Sequence, residues 1–537
     1  MNNINSINKN SEIFIVSAIL IIHSLLVIFG SIQMGLAYDE LFHIPEGAAL
    51  ATLGFRKLVT AHTALGHWMT GLSMSFIDPV VDTQYYQSAN TNVFEFTNRF
   101  LFSGSNNFRF TLLVARIPFY VCTILCPLYI YFLSRSLWGQ SAGIISLILT
   151  SFCSSIIGWG RYVYMDVPQT LFMFATVAHV IWFLKKNSQK HLILSAIFFG
   201  LNCGIKYSGL FILPFIFTVI VISHKFYDLK TNFFRIDSIK NLITYSAVSA
   251  FSIWFSFGFP LNINFYFEGF SKLYTDMDPN FPFYFLGHFK PGGWWYYFPV
   301  NLFLKMSAAS ILLLILGILY SFNKNELKFD NKLIEKDCCI ILLLLAPATL
   351  FLTATSIKAL PLGSRYIIPC LPFIYCVCGY SFSYALNKKN FLLISLLSIL
   401  ISLHVYRTIS IFPDEMAYFN EFIGDAGDGF LYVNDSSVDA GQNLPRLASF
   451  LRERGNPPVK ILYQGQDRPE MYGIKTNVVT QSDWDIAPSP GIYAISANWL
   501  IYGQKETLDR PNVHKNWLTT YKPIKKLGGS IWIYEFQ

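Results

Sequence analysis

From Phe14 to Leu36 the chain carries no Asp, Glu, Lys or Arg, and apolar windows of this kind recur down the first 410 or so residues. A hydrocarbon core about 30 Å thick is crossed by roughly 20 apolar residues in a helix, so a chain written this way folds as a membrane-spanning helical bundle. Composition agrees: 53% of the 537 residues are hydrophobic, 17% aromatic and only 13% charged, far from soluble-domain usage. The first window reads as a retained helix and not a cleaved leader, since its apolar part outruns a signal h-region and no small-residue cleavage site precedes Asp39.

The expected fold class is mostly α and polytopic, with about 11 transmembrane helices. The spans are 12–35, 111–134, 141–158, 167–184, 190–204, 207–223, 241–261, 298–321, 338–357, 366–386 and 391–411. Alternate loops hold Lys185, Lys186 and Lys190; Lys225, Lys230, Arg235 and Lys240; Lys324, Lys328, Lys332 and Lys336; and Lys388 and Lys389. The positive-inside rule makes these loops and the N-terminus cytoplasmic. The long loop 36–110, the turn 160–166, the segment 262–297, the turn 358–365 and everything after 412 then face out. The formal charge of +8 is scattered over these short loops, which fits topology and not nucleic-acid binding. All nine cysteines fall inside or at the edges of apolar runs, so no disulfide framework or CxxC metal site is on offer.

After residue 411 the composition turns polar and Gly/Pro-rich, giving two expected domains, a transmembrane module over 1–411 and a soluble α/β domain over 412–537. In the latter FLYVND, KILYQ, GIYAIS and GSIWIYEF read as strands and GQNLPRLASFLRERG as a helix with Leu444, Leu447 and Leu451 on one face.

Ionisable groups at membrane depth cost about 2.5–3.5 kcal/mol each on insertion scales and so tend to mark function. Asp39, Glu40, His43 and Glu46 crowd the exit of the first span in AYDELFHIPE, with Asp39 and His43 at i, i+4; a solvated helix end is the plain alternative. Asp166 opens an apolar run in GRYVYMDVP, where an N-cap is equally natural. Lys206 in GIKYSG lies between two apolar runs on the outer side, against the charge trend, though a snorkelling lysine would look the same. Lys358 and Arg365 flank the outer turn of IKALPLGSRY and suit an anionic headgroup. Carboxylates and cations on one face are the inventory for sugar transfer from a lipid phosphate: a base takes the acceptor's proton, and cations hold a leaving group that needs no acid. His62 and His67 in TAHTALGHW, near His43, leave a divalent metal open, at a spacing that matches no strong motif.

The ordered set YDELFHIPEGAAL, His62-x-x-Leu65, GRYVYMD, GIKYSGLFILP, PGGWWYYFPVNLFLK, GSRYIIPCLP and DSSVDAGQNLPRLASFLRERG resembles the membrane glycosyltransferases of family 39, which include protein O-mannosyltransferases and bacterial aminoarabinose transferases. The resemblance covers most of the chain and implies a GT-C fold. It also implies a polyprenyl-phosphate sugar donor, inversion at the anomeric carbon, and a lipid, glycan or protein acceptor at the outer face of the cytoplasmic membrane. By that likeness Asp39 would be the base with Glu40 beside it, and Asp166 the second acid. Lys206 and Arg365, with Arg161 a weaker match, would contact donor phosphate; Lys358 as a further phosphate contact, and His43 or His62 as orienting or metal-holding groups, rest on the residues alone. The chain departs from the bacterial pattern at Thr63-Ala64, where two prolines are usual, and at Ala440 to Asn443, where Trp-Gly-Gln-Asp is common. A transporter or flippase of lipid-linked sugars is the competing class; no internal repeat of the kind transporters carry is visible.

Overall fold

The computed structural model describes residues 8–226, 236–262, 264–275, 278, 280–322, 336–424, 426–480, 483, 488–509 and 521–537. Of the loop cations named above, Lys230, Arg235, Lys324, Lys328 and Lys332 lie outside the described residues.

Every expected span coincides with helix, but not all as single crossings. Among the described residues six helices are long and apolar enough to cross a membrane unaided, including Lys9–Gln33, Phe108–Trp138, Asp166–Lys186 and Phe391–Ser410. Their burial separates an inner from an outer ring. The apolar window of Asp166–Lys186 is 89% buried, whereas that of Lys9–Gln33 is 17% and that of Phe391–Ser410 22% buried. The peripheral helices turn residues such as Phe14, Ile21 and Phe391 outward, the face a lipid would cover.

The expected span 298–321 is instead a bent pair, Tyr297–Lys305 and Ala308–Ser321, meeting at 107°. Met306 between them is extended, and Ser307 caps the second helix by accepting from Ser310 N at 3.2 Å. The corner is pinned by Lys305, a fully buried ammonium that donates to the carbonyls of Met416, Tyr418 and Ser437 at 3.0, 2.7 and 2.7 Å. Periodicity could not disclose this, because both halves are apolar and the cause lies more than a hundred residues away. Expected span 141–158 is likewise two pieces, Gln140–Ser151 and Ser154–Trp159, and 207–223 begins as a 3₁₀ turn, Tyr207–Ile212, before Leu213–Val221.

Between the first two long helices the chain lays down shorter ones, Glu40–Leu53 and Leu65–Met74 foremost. They pack together through Gly47 and Gly71; a Cβ on Gly71 would sit 2.7 Å from the Gly47 carbonyl oxygen. A two-stranded ribbon, β1 (Pro282–Phe285) and β2 (His288–Pro291), precedes the bent pair.

The C-terminal region carries a mixed sheet of β3 (Val459–Leu462), β4 (Thr476–Asn477), β5 (Gly491–Ser496), β6 (Lys525–Leu527) and β7 (Ile531–Phe536), in the order β4-β3-β5-β7-β6. β3 is parallel to β4 and β5, while β7 is antiparallel to β5 and β6. One face packs Ile492, Ala494 and Ile533 on Leu444, Leu447 and Leu451 of the helix Leu444–Arg452. The other packs Tyr493, Ile495 and Trp532 on Tyr297, Phe298 and Ile367 of the helical module. FLYVND is not a strand: Ala426–Leu431 is a 3₁₀ turn, and Val433 makes only an isolated bridge to Phe285. Its apolar side chains are taken up by packing, Phe430 against Trp532, and not by a ladder.

Helix Gln189–Ile205 meets Ile236–Ser256 at Gly200, where a Cβ would lie 2.8 Å from Ser249 O and 3.1 Å from Ile253 N. Such small-residue contacts let backbones approach. Gly200→Val is expected to cost about 1–3 kcal/mol, read as a lowered melting temperature of the detergent-solubilised chain; an unchanged melt would disprove this contact.

Candidate active site

The ends of four separate segments converge on one cavity of about 870 Å³ of empty space. The sequence ends its first helix at Gln33 and restarts at Glu40, leaving Asp39 at the head of the second helix. Asp39 N–H donates to Tyr164 Oη at 3.1 Å, and its carboxylate accepts from Arg365 Nη1. Asp166 opens helix Asp166–Lys186 without capping it and instead takes Lys206 Nζ on Oδ1 at 2.5 Å. Lys206 is the extended residue at which helix Gln189–Ile205 breaks into the 3₁₀ turn. Arg365 sits in the 3₁₀ turn Ser364–Cys370, and Lys358 ends helix Asp337–Lys358 and also lines the cavity.

The two ion pairs share aromatic neighbours. Tyr366 receives Lys206 Nζ at 4.1 Å and the Arg365 guanidinium at 5.4 Å from its ring centre, and Tyr164 receives Arg365 at 5.1 Å, distances at which a cation is held by the ring face. Arg365 Nε is buried and has no hydrogen-bond partner among the described residues, so this guanidinium keeps an unused donor. The charged lining is Asp39, Asp166, Lys206, Lys358 and Arg365, formally three cations against two carboxylates. Ile205, Phe211, Phe270 and Leu273 make an apolar wall.

His43 and His62 line the same cavity, with ring centres 4.9 Å apart. His67 lies behind them: its Nε2 is 2.9 Å from His43 Nδ1, and Arg56 Nη1 is 3.2 Å from its Nδ1. Arginine can only donate. His67 Nδ1 is therefore the acceptor, His67 Nε2–H donates to His43 Nδ1, and the proton of neutral His43 resides on Nε2. Among the described residues no group of three or more His, Cys, Asp or Glu is arranged to hold a metal ion.

Burial pushes the Asp39 carboxyl up, but the Arg365 guanidinium outweighs it and holds the group below its usual range. Burial pulls His43 down to about 3, with His62 adding to it, and His62 itself down to about 4. At neutral pH the cavity thus holds an ionised Asp39 and uncharged imidazoles.

Two residues that the sequence suggested for the site are not brought to it. Glu40, adjacent to Asp39 but pointing in a different direction, is fully buried and pairs with Arg116 at 2.6 Å. Its Oε1 also accepts from Val163 N at 2.9 Å and its Oε2 from Ala37 N at 2.9 Å. Arg161 turns away from Asp166 to pair with Glu415 at 2.6 Å, and donates to Pro413 O and Leu26 O at 2.7 and 2.9 Å. Both are structural charges held by protein partners, although Arg161 Nε has no hydrogen-bond partner among the described residues. Glu46 is another, accepting from the backbone of residues 57–59 and from Tyr86 Oη.

Sequence reasoning missed Tyr164, Tyr366 and Arg56, and it singled out His67 only as a possible metal ligand, not as the residue that backs His43. The tyrosines stand beside the charges in GRYVYMD and GSRYIIP, so a search for aromatic neighbours of each outer charge would have found them. The grip of the C-terminal region on the site had no local signal. Gly35 N donates to Gln442 O and Tyr38 N to Ala440 O, both at 2.8 Å, and Ser436 Oγ donates to Leu362 O. Gly363 has φ +100°, and a Cβ there would lie 2.8 Å from Ser436 C.

Arg116→Met strands the Glu40 carboxylate in the interior and is expected to cost about 3–5 kcal/mol. Asp39→Asn, at a partly exposed pair, should leave the melting temperature within a degree or two. Equal melts for the two variants would overturn this division between structural and cavity charges.

Residues 103–254 match the family model described as dolichyl-phosphate-mannose-protein mannosyltransferase. No curated protein sequence matches the chain. Among solved structures it is similar to ArnT from Cupriavidus metallidurans bound to undecaprenyl phosphate, at TM-score 0.47 and 9% identity over 98% of each chain. It is also similar to the Archaeoglobus fulgidus oligosaccharyltransferase, at TM-score 0.45 and 13% identity over 75% of this chain; the match spans about half (54%) of that protein's length. The S. cerevisiae protein O-mannosyltransferase Pmt1-Pmt2 complex matches at TM-score 0.35 and 16% identity over 52% of this chain and 36% of that one. Over residues 103–254, therefore, this chain carries the dolichyl-phosphate-mannose-protein mannosyltransferase pattern, the relationship its ordered motifs imply.

Proposed function

We propose that this chain is a membrane glycosyltransferase that moves a sugar from a polyprenyl-phosphate-linked donor to a lipid, glycan or protein acceptor at the outer face of the cytoplasmic membrane. The observation that carries the reading is the pairing of Asp39 with Arg365 and of Asp166 with Lys206 around a single ring, Tyr366, in one cavity. The unused Arg365 Nε donor and the third cation, Lys358, add capacity for an anion.

A phosphate linked to the anomeric carbon is already a competent leaving group, so the site needs one base and a cation clamp, where a glycosidase needs two cooperating carboxyls. The Asp39 carboxylate takes the proton of the acceptor as the acceptor atom attacks the anomeric carbon. The bond from that carbon to the phosphate oxygen breaks on the opposite face, and its electron pair leaves with the phosphate, so configuration inverts. Arg365, Lys206 and Lys358 receive the charge that develops on the phosphate. Asp166 orients the acceptor or the donor sugar, and the apolar wall takes the first units of the lipid. His43, held by His67 with its Nε2 protonated, orients a polar group beside Asp39.

Arg365 is engaged by Asp39. Donor phosphate competes for that guanidinium, and its arrival returns basicity to the carboxylate when an acceptor can use it.

Asp39→Asn is expected to lower sugar transfer by about 10²–10⁴-fold in detergent-solubilised protein supplied with a lipid-linked donor; a wild-type rate would remove Asp39 as base. Lys206→Ala should raise the apparent KM for donor and leave that for acceptor unchanged, and the reverse pattern would refute a phosphate role. On the acid side kcat/KM for donor, which reports the free enzyme, should stay flat from about pH 8 to 5 and fall only as pH drops through the Asp39 pKa that Arg365 lowers, because burial holds His43 and His62 down to about 3 and 4. An acid limb centred between pH 6 and 7 would point to a histidine base instead.

A further inference from the structure

A second concavity, of about 1370 Å³ of empty space, is lined in part by Pro445 and Tyr472, which abut Gly35. Its charged lining is Arg109, Arg446, Arg452, Lys525, Lys526 and Glu453, five cations against one carboxylate. Arg446 is held by Asp414 and Lys526 by Asp428. The other three cations have no carboxylate partner among the described residues. Arg452 donates only to Ser449 Oγ at 3.1 Å, and Lys525 Nζ stands 5.8 Å from the ring centre of Phe450. Arg109 caps the carbonyls that end the first helix, reaching Ile32 O at 2.7 Å and Met34 O at 3.1 Å, which uses two of its five donors.

Position makes the groove more than a basic patch. Its floor is Ile32 and Gln33, the last turn of the peripheral helix Lys9–Gln33, together with Arg109 at the start of Phe108–Trp138. Just on the membrane side of that floor stand the exposed side chains of Phe29 and Phe110, at 54% each. Apolar surface therefore ends and clustered positive charge begins within one helical turn, as at the level where acyl chains give way to headgroups. The wall opposite the membrane helices is Leu444–Arg452 and the β6–β7 turn of the C-terminal region.

We infer that this groove binds the anionic phosphate headgroup of a membrane lipid, whose chains run down the outside of the first helix past Phe29 and Phe110. The site is separate from the cavity proposed for the donor, and its test does not depend on that reading. Arg452 and Lys525 reach the phosphate from the C-terminal region while Arg109 meets it from the membrane module, so the lipid ties the two together.

The test is native mass spectrometry of the full chain in neutral detergent, titrated with dioleoyl phosphatidylglycerol, with dioleoyl phosphatidylcholine and inorganic phosphate as separate arms. At roughly a factor of five per cation near a membrane surface, the R452A/K525A double variant is expected to bind the first phosphatidylglycerol about 25-fold more weakly than wild type. R452K/K525R should restore binding, phosphatidylcholine should bind at least tenfold more weakly, and a hundredfold excess of inorganic phosphate should not displace the lipid. Unchanged affinity in R452A/K525A, or phosphatidylcholine binding as tightly, would overturn the site. Displacement by inorganic phosphate would overturn the lipid as its ligand in favour of a free anion.

Discussion

The ion pair between Arg116 and Glu40 has no exposed surface on either side chain, and the relative placement of the cavity's two acids depends on it. Arg116 binds the end of the first helix through Ser31 O and Gly35 O, at 3.3 and 2.6 Å. Glu40 opens the next helix, and its Oε1 holds Val163 N in the turn that leads to Asp166. One carboxylate thus fixes both the residue after Asp39 and the approach to Asp166. A buried pair is a costly fixture, since removing two charges from water costs several kcal/mol each. It persists here because its hydrogen-bonding positions on Glu40 are filled by protein donors, and the Tyr162 ring covers the guanidinium at 4.8 Å. Breaking one partner would free three segments at once, which is why Glu40, though next to Asp39, belongs to the frame and not to the cavity.

The same logic extends the site to the C-terminal region. The backbone of Gly35 and Tyr38 pairs with Gln442 and Ala440 on one side of Asp39, while Ser436 holds Leu362 on the approach to Arg365. Ser437 O takes part in holding Lys305 at the corner of the bent helix pair. A single loop, residues 436–442, therefore touches the supports of both members of the Asp39–Arg365 pair. The chain departs from the bacterial pattern at Ala440 within this loop and at Asn443 just after it, yet the bonds named at residues 440 and 442 use backbone carbonyls, which tolerate a change of side chain.

How much of this was legible in the sequence follows from which signals are local. Apolar windows give helices, so all eleven expected segments are helical; the number of true crossings is not local, because bending at Met306 is enforced by carbonyls near residues 416–437. Asp39, Asp166, Lys206 and Arg365 stood out because charge at the end of an apolar run needs a reason, and the structure brings all four to one cavity. Glu40 and Arg161 carried the same signal and have a different reason. Neighbours in a helix point about 100° apart, so adjacency to Asp39 said nothing about where Glu40 would face. Arg161 is separated from Asp166 by only five positions, but its partner, Glu415, lies beyond the last span. FLYVND failed as a strand for the complementary reason: its alternation was real, but no neighbouring strand was free to pair with it over more than one bridge.

Charge balance connects the frame to the proposed chemistry. With three cations and two carboxylates the side chains of the cavity carry a formal charge of +1, and uncharged histidines leave that sum unaltered. A sugar joined to a lipid through a phosphodiester brings one negative charge, so the loaded cavity is neutral. In the proposed transfer, Asp39 taking the acceptor's proton raises the protein's share to +2, and the leaving lipid phosphate, then a monoester whose second pKa is near 6, carries up to two negative charges. The cavity is therefore balanced before and after transfer, in a setting where an uncompensated charge is expensive. On that proposal Lys358, which has no carboxylate partner among the described ion pairs of the cavity, completes the balance: without it the loaded site would hold net negative charge, and the departing phosphate would lack its second counter-charge.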